Sequence, residues 1–218
     1  MTFSHVIFDL DGTLLDTLED LAGAANHVCR IHGWPTFPVD AYRHMVGNGV
    51  RRLAERFMPP EVAGNRNVLE EVLEEFRAWY ADHGDERTRP YPGVLEMLDD
   101  IAAEGVDLAV LTNKDHAAAV PLVERYFGSR FALVQGQREG ISPKPAPDAT
   151  LGVLRALGAA PSDALYIGDS DVDVATGHNA GLIVAGAAWG FRGRVELETS
   201  GADLIVEQPR EVAAIALG

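Results

Sequence analysis

The sequence of 218 residues predicts an α/β fold in which a mostly parallel sheet carries helices on both faces, with a helical cap inserted after the first strand. Two observations predict it. From residue 90 onward, short apolar runs alternate with amphipathic helical patterns, as in Rossmann-like βαβ units. Between residues 17 and 89 the patterns are helical only. We therefore predict a core domain of residues 1–16 and 90–218 and a cap domain of residues 17–89.

The first strand is predicted from an apolar run that ends in two carboxylates, Asp9 and Asp11. Side chains in a regular strand alternate between faces, so the two would share a face only while the strand stayed regular. Gly12 lets the backbone turn sharply and places Asp11 at the start of a loop. We expect the two carboxylates to lie close enough to share a substrate.

The cap is predicted to be helical because its apolar residues recur at helical spacing. The first helix covers residues 16–32, a short one begins at Asp40, and a third covers 50–57. The clearest helix covers residues 68–83, and its glutamates form a solvated face. Because the insertion follows the first strand, we expect the cap to open and close over Asp9. A passive packing domain is the alternative.

The core resumes after the break at residues 90–93. Pro121 falls inside a predicted helix and is expected to bend it. Ligands of open parallel sheets bind beyond the carboxyl ends of the strands, which makes the polar residues there the candidates for function. The predicted helices are 94–104, 115–127, 147–157, 172–180 and one from Arg210, and the predicted strands are 106–111, 131–134, 164–167, 182–185 and 203–206.

The polar residues at four strand ends fit phosphoryl transfer. Carboxylates suit Mg2+, and Asp9 and Asp169 can supply them. The Lys144 ammonium would offset the repulsion between a phosphate dianion and an attacking carboxylate. Thr112, with backbone N–H groups of the turn after Asp9, would hold phosphoryl oxygens. The complete set is Asp9, Asp11, Thr112, Asn113, Lys144, Asp169, Ser170 and Asp173.

These residue types suggest a covalent mechanism with Mg2+ as the cofactor. Asp9 would attack phosphorus in line and form an aspartyl-phosphate, while Asp11 protonates the leaving alkoxide. Asp11 would then take a proton from the water that hydrolyses the intermediate.

Residues 9–16 form the string Asp-x-Asp-Gly-Thr-Leu-x-Asp, and it is followed in order by Thr112, Lys144 and a Gly-Asp-Ser-x-x-Asp segment at 168–173. In this order of motifs the sequence resembles the haloacid dehalogenase superfamily of phosphohydrolases. The resemblance implies that Asp9 is the nucleophile and Asp11 the general acid and base. It also implies that Mg2+ is bound by the Asp9 carboxylate, the Asp11 main-chain carbonyl and Asp169. Asp173 and Ser170 would lie behind these ligands, with Asp173 orienting either the metal's water or the lysine.

Individual residues separate the branches of this family. The carboxylate of Asp11 argues against haloalkanoate dehalogenases, because a halide leaves without a proton. The first lysine is Lys114, outside the cap, which argues against the imine chemistry of phosphonoacetaldehyde hydrolases. Phosphatases remain, with sugar phosphomutases and pyrophosphatases as alternatives.

Two stretches, residues 45–53 of the cap and residues 188–192, resemble the phosphoglycolate phosphatase branch. Gly47, Asn48 and Gly49 open a helix whose free N–H groups suit an anion. Arg51 or Arg52 would pair with a substrate carboxylate. The leading substrate prediction is therefore 2-phosphoglycolate. A glycine-rich turn between helices is the alternative reading of this stretch.

Composition limits the partners. The net charge of -15 argues against nucleic acid and anionic membranes. A single cysteine excludes an intramolecular disulfide and fits a reducing compartment. From the sequence we expect neither a signal segment nor a membrane span. We expect a cytoplasmic monomer or homodimer that acts on a small phosphorylated metabolite.

Two function classes compete with an enzyme. A phospho-accepting signalling domain also combines an acidic pocket, a threonine and a lysine on a parallel sheet. Its acceptor would not be expected on the first strand, and a cap of residues 17–89 would enclose a small substrate. A catalytically silent binding protein is disfavoured because every core position carries the expected chemical type.

Overall fold

The computed structural model describes residues 2–218. Short 3-10 helices cover Val39–His44 and Pro161–Asp163. The strands are β1 (His5–Phe8), β2 (Leu15–Asp16), β3 (Arg89–Pro90), β4 (Asp107–Asp115), β5 (Leu133–Gln137), β6 (Ala164–Gly168), β7 (Ile183–Ala187) and β8 (Leu204–Val206). The helices are α1 (Leu18–Ile31), α2 (Val50–Phe57), α3 (Pro60–Ala63), α4 (Arg66–His83), α5 (Val94–Ala103), α6 (His116–Phe127), α7 (Pro147–Leu157), α8 (Asp171–Asn179), α9 (Gly193–Thr199) and α10 (Pro209–Leu217).

The main sheet has six strands in the order β5-β4-β1-β6-β7-β8. All neighbouring pairs are parallel. Successive side chains of the central strand β1 enter opposite layers: Val6 and Phe8 belong to one hydrophobic cluster and Ile7 to another. Helices therefore cover both faces of the sheet, and the predicted fold class is confirmed. The carboxyl ends of β1, β4 and β6 lie side by side, which brings the candidate residues to one edge.

Helices α1–α4 lie between β2 and β3, which form a two-stranded antiparallel ribbon. Leu15 pairs with Pro90, and Asp16 with Arg89, so the chain leaves and re-enters the core at one place. These helices bury a hydrophobic cluster of their own. Phe191, from the loop after β7, packs into this cluster. A separate cluster and a paired boundary support residues 17–89 as a cap, which remains our proposal.

Several elements differ from the sequence expectation. Strand β4 runs to Asp115, so Thr112 and Asn113 lie within it and not after it. The sequence prediction ended this strand too early because its last residues are polar, as loop residues usually are. In the structure these residues still belong to β4, which pairs with β5 on both sides of a register shift. Strand β5 begins and ends later than predicted, and the segment from Asp40 is a 3-10 helix. The sequence did not predict β2, β3, α3 or α9, which are too short to show a clear periodicity.

Within residues 2–218, none of the helices combines the length and the apolar character that crossing a membrane requires.

Candidate active site

Three buried carboxylates meet at the carboxyl edge of the sheet. Asp9 follows β1, Asp169 follows β6, and Asp173 lies in the first turn of α8. One carboxylate oxygen of each lies within 4.8 Å of the others. The Asp9 backbone N–H donates to the Ile167 carbonyl at 2.9 Å, which ties the two adjacent strand ends together. The structure thus brings together residues that the sequence separates by more than half of its length.

Lys144 is the cation at the centre of this cluster. Its Nζ lies 2.8 Å from Asp9 Oδ1 and 2.7 Å from Asp173 Oδ1, and the side chain is 2% exposed. It also donates to Tyr166 Oη at 3.1 Å. Burial alone would lower the pKa of Lys144, but the charges of Asp173 and Asp9 raise it well above its ordinary value. The ammonium is therefore charged at any physiological pH.

Asp173 is held by its own helix. Its Oδ2 accepts hydrogen bonds from Ser170 Oγ at 2.6 Å and from the Ser170 backbone N–H at 3.2 Å. This reciprocal arrangement is a capping box, which satisfies free N–H groups at the start of α8. With Oδ1 on Lys144, the carboxylate is fully engaged. Between the two expected roles of Asp173, the geometry favours orientation of the lysine.

Asp169 is positioned by the loop that follows β7. Its Oδ2 accepts a hydrogen bond from the Phe191 backbone N–H at 2.7 Å. A Cβ at Gly190 would overlap Asp169 Cβ and the Gly12 carbonyl oxygen. Gly12 has a φ of +90°, and a Cβ there would overlap the Asp169 carboxylate. The backbone therefore packs directly against Asp169 on two sides, and only glycine fits.

The cluster is short of positive charge, which makes it a fitting site for a divalent cation. Burial, only partly offset by Lys144, raises the pKa of Asp9 to about 7, and Asp173 adds to the rise. Burial and the charges of Asp173 and Asp9 raise the pKa of Asp169 well above its ordinary value. The buried Asp9 Oδ1 has the Lys144 ammonium at 2.8 Å as its ion-pair partner and lacks a further hydrogen-bond partner among the described residues. A divalent cation would offset this excess of negative charge, and carboxylate oxygens are ligands that Mg2+ prefers.

A cavity of about 530 Å³ opens from this cluster toward the helices of residues 17–89. Asp9, Asp11 and Thr112 of the core line this cavity, and so do Gly47 and Gly49 at the start of α2. Most of the remaining lining is apolar and comes from α2, α4 and α6. Asp9 and Asp11 therefore face one shared cavity.

Asp11 has partners that differ from those of Asp9. Its Oδ1 accepts hydrogen bonds from Thr17 Oγ1 at 2.8 Å and from Lys114 Nζ at 3.0 Å. Lys114 also donates to Tyr80 Oη of α4 at 2.9 Å. Burial alone would lower the pKa of Lys114, but Asp11 and Tyr80 raise it above its ordinary value. Lys114 was not among the predicted site residues, although its position two residues after Thr112 in the sequence indicated it.

Comparison with known proteins places this geometry in a family. Residues 6–187 match the haloacid dehalogenase-like hydrolases. The chain belongs to this family. The phosphoglycolate phosphatase of Pseudomonas putida is 32% identical over 209 residues, which cover 94% of this chain and 76% of that protein.

Two further relatives resemble the chain over nearly its whole length. The N-acetylmuramic acid 6-phosphate phosphatase of Pseudomonas aeruginosa is 32% identical over 217 residues, covering 97% of this chain and 94% of that one. A crystal structure from Lactobacillus delbrueckii, provisionally named a phosphoglycolate phosphatase, has a TM-score of 0.94 and 33% identity, with full coverage of both chains. The family and these relatives together identify the protein as a phosphatase.

In this phosphatase, Asn113 joins two loops around the site. Its Nδ2 donates to the Gly47 carbonyl at 3.0 Å and to the Lys144 carbonyl at 3.2 Å. Its Oδ1 accepts from the Lys144 backbone N–H at 2.8 Å. The amide thus positions the Lys144 loop, and its donors are occupied without a substrate. Thr112 is buried beside it and lines the cavity.

The arginines predicted to bind substrate lie outside the cavity of the phosphatase. Arg51 pairs with Glu70 at 2.9 Å, and Arg52 pairs with Glu55 at 2.6 Å. Neither belongs to the cavity lining, and the Asn48 side chain accepts a hydrogen bond from Arg56. The predicted pairing of Arg51 or Arg52 with a substrate carboxylate does not match this arrangement, because both side chains point to solvent. Of the residues in that stretch that were predicted to bind substrate, only Gly47 and Gly49 line the cavity.

Proposed function

We propose that this protein is a Mg2+-dependent phosphomonoesterase that works through an aspartyl-phosphate on a small phosphorylated metabolite, with 2-phosphoglycolate as its leading substrate. One observation carries the proposal. Asp9 and Asp11 face the same cavity, and Asp9 lies beside Lys144 and Asp169 while Asp11 lies beside a different cation, Lys114. Two carboxylates with separate partners are suited to separate roles.

Asp9 serves as the nucleophile in this proposal. Its carboxylate oxygen bonds to phosphorus as the bond from phosphorus to the leaving alkoxide breaks, and Asp11 gives its proton to that alkoxide. Water then attacks the phosphorus, Asp11 takes one of its protons, and inorganic phosphate leaves with Asp9 restored. Lys144 offsets the negative charge between Asp9 and the phosphoryl oxygens. Thr112 lines the cavity, and its hydroxyl can donate to one of these oxygens.

The residues that would hold Mg2+ are the carboxylates of Asp9 and Asp169 and the main-chain carbonyl of Asp11. When bound, the ion would draw charge from the phosphoryl oxygens and offset the surplus of carboxylates. The protein's own contribution is the fixed position of its ligands. The Phe191 N–H and Lys144 orient the two carboxylates before any substrate arrives.

Two features support 2-phosphoglycolate. The relatives from Pseudomonas putida and Lactobacillus delbrueckii carry the name phosphoglycolate phosphatase. Gly47 and Gly49 line the cavity where α2 begins, and the N-terminal end of a helix favours an anion such as a carboxylate.

A larger sugar phosphate is the second candidate, and the size of the cavity favours it. About 530 Å³ falls within the range of roughly 300–1,000 Å³ that holds ligands larger than glycolate. One relative, at 32% identity, is named for a sugar phosphate, N-acetylmuramic acid 6-phosphate. The mostly apolar lining would pack against the faces of a sugar ring.

A substrate panel tests both candidates. Phosphate release would be measured with Mg2+ for 2-phosphoglycolate, several sugar phosphates, pyrophosphate and nucleotides, and ranked by kcat/KM. We expect repeated turnover, with 2-phosphoglycolate ranked first. Labelling of one phosphate per protein without release would indicate a signalling domain, and isomerised sugar phosphate would indicate a mutase.

Removal of divalent metal tests the cofactor. We expect a chelator to abolish phosphate release and excess Mg2+ to restore it, because Asp9 and Asp169 would otherwise repel the substrate. Full activity in the chelator would contradict the proposed cofactor.

A further inference from the structure

Lys114 is a buried cation that the proposed mechanism does not use. It lies near the end of β4, and its side chain is 6% exposed. The only other lysine, Lys144, is engaged with Asp9 and Asp173. A buried lysine is costly to desolvate and is retained only where its charge has partners. The identity of those partners shows what Lys114 does.

The ammonium of Lys114 donates hydrogen bonds to two side chains. It lies 3.0 Å from Asp11 Oδ1, 3.3 Å from Asp11 Oδ2 and 2.9 Å from Tyr80 Oη. An ammonium has three N–H donors, and these three contacts account for all of them. Lys114 therefore has no donor left for a phosphoryl oxygen. Its action on substrate must pass through Asp11.

Asp11 is a side chain that needs such support. It follows the last residue of β1 by three positions and forms only an isolated bridge with Leu15, so the sheet does not fix it. Thr17 holds one edge of the carboxylate, and Lys114 contacts both oxygens. Contact with both oxygens fixes the plane of the carboxylate, which decides where it can deliver a proton.

Tyr80 links this pair to the helical cap. It lies on α4, its ring stacks on Phe76 at 5.7 Å between centroids, and it is largely buried. Its hydroxyl accepts a hydrogen bond from Lys114 Nζ at 2.9 Å, and this bond joins the cap to the core. The chain of contacts thus runs from α4 through Lys114 to the carboxylate that faces the substrate.

We propose that Lys114 is a positioning residue that holds the Asp11 carboxylate for proton transfer, and that Tyr80 of the cap holds the Lys114 ammonium in turn. The inference rests on the proposed function, because it takes the acid and base role of Asp11 from there. It assigns no contact between Lys114 and substrate.

The test compares two leaving groups in Lys114→Met, which keeps most of the side-chain volume. An alkoxide needs a proton in order to leave, whereas 4-nitrophenolate leaves with little protonation. For 2-phosphoglycolate, or the alkyl phosphate that the panel ranks first, we expect kcat to fall at least about tenfold, a part of the 10²–10⁴-fold that proton transfer contributes. For 4-nitrophenyl phosphate we expect a fall of less than about threefold.

A double-mutant cycle separates positioning from general damage. In an Asp11→Asn background, Lys114→Met should cause little further loss with the alkyl phosphate, because the group that Lys114 positions is already disabled. Tyr80→Phe keeps the ring and removes the hydroxyl, and it should show the same leaving-group pattern at smaller size. Leu69→Ala is the control for packing damage on α4, because Leu69 belongs to the cap cluster and does not line the cavity, and any loss it causes should be equal for both substrates.

Three results would overturn the proposal: equal losses on both substrates in Lys114→Met, an undiminished further loss in the Asp11→Asn background, or wild-type rates. If Lys114→Met does not fold, Tyr80→Phe decides by the same leaving-group ratio. Failure of the proposed function is distinguishable, because it appears as absence of phosphate release by the unmodified protein, whatever the variants do.

Discussion

The two sides of the cavity are built differently. On the core side, Lys144 and Asp173 pair at 2.7 Å with side chains 2% and 1% exposed. On the cap side, Arg51 and Glu70 pair at 2.9 Å with side chains 52% and 46% exposed. Buried pairs hold their geometry because breaking them leaves an uncompensated charge, whereas exposed pairs contribute little. The chemistry is thus fixed by buried ion pairs in the core, whereas the ion pair between α2 and α4 lies at the surface and contributes little to stability.

The largest expected effect comes from the nucleophile on the core side. Asp9→Asn preserves shape but replaces a carboxylate with an amide that does not attack phosphorus. We expect kcat for 2-phosphoglycolate to fall by roughly 10³-fold or more, as for other enzymes that lose a nucleophile. Initial rates of phosphate release measure this, with thermal unfolding to show that the variant is folded. Wild-type rates would remove Asp9 from the mechanism.

Lys144→Met tests whether the core side depends on buried charge. Substitution leaves Asp9 and Asp173 buried without their cation, because both lie within 2.8 Å of Nζ. We expect the free energy of unfolding to fall by about 3–5 kcal/mol in metal-free buffer. Urea unfolding measures it, with Arg51→Gln as the exposed counterpart. Similar values for the two variants would contradict the difference between the sides.

Gly190→Ala tests the support of Asp169. A Cβ there would overlap Asp169 Cβ and the Gly12 carbonyl, so the carboxylate must move. Displaced ligands commonly lower metal affinity by about 10–100-fold, and we expect the Mg2+ concentration for half-maximal activity to rise in that range. Gly152→Ala is the matched control, because its nearest neighbour is the end of the Arg155 side chain at 3.8 Å. An unchanged Mg2+ requirement in Gly190→Ala would show that Asp169 adjusts freely.

The sequence predicted the core side well because its information is local. Asp9 and Asp169 each follow an apolar strand, and parallel strands bring their carboxyl ends to one edge. Lys144 lies in the loop after a predicted strand, and its predicted role of offsetting negative charge followed from that position and from the order of the motifs. The order of the strands in the sheet therefore brings these residues together.

The cap side was predicted less well because its information is spread over distant segments. Tyr80 reaches Lys114, and Phe191 packs into the cap cluster, through contacts that no local pattern encodes. One signal was available and not used: Val50, Leu53, Ala54 and Phe57 recur at helical spacing and mark the inner face of α2. That stripe places Arg51 and Arg52 on the outer face.

The smallest expected effect is at those two arginines. Arg51→Gln and Arg52→Gln each break one exposed ion pair, which contributes about 0–1 kcal/mol. We expect kcat/KM for 2-phosphoglycolate to stay within about twofold of wild type, because neither side chain lines the cavity. Paired steady-state measurements on both variants check this. A tenfold rise in KM at unchanged kcat would mean that the cap brings an arginine onto the bound substrate. The exposed pairs would then be a resting arrangement that substrate displaces, and the cap side would be as specific as the core.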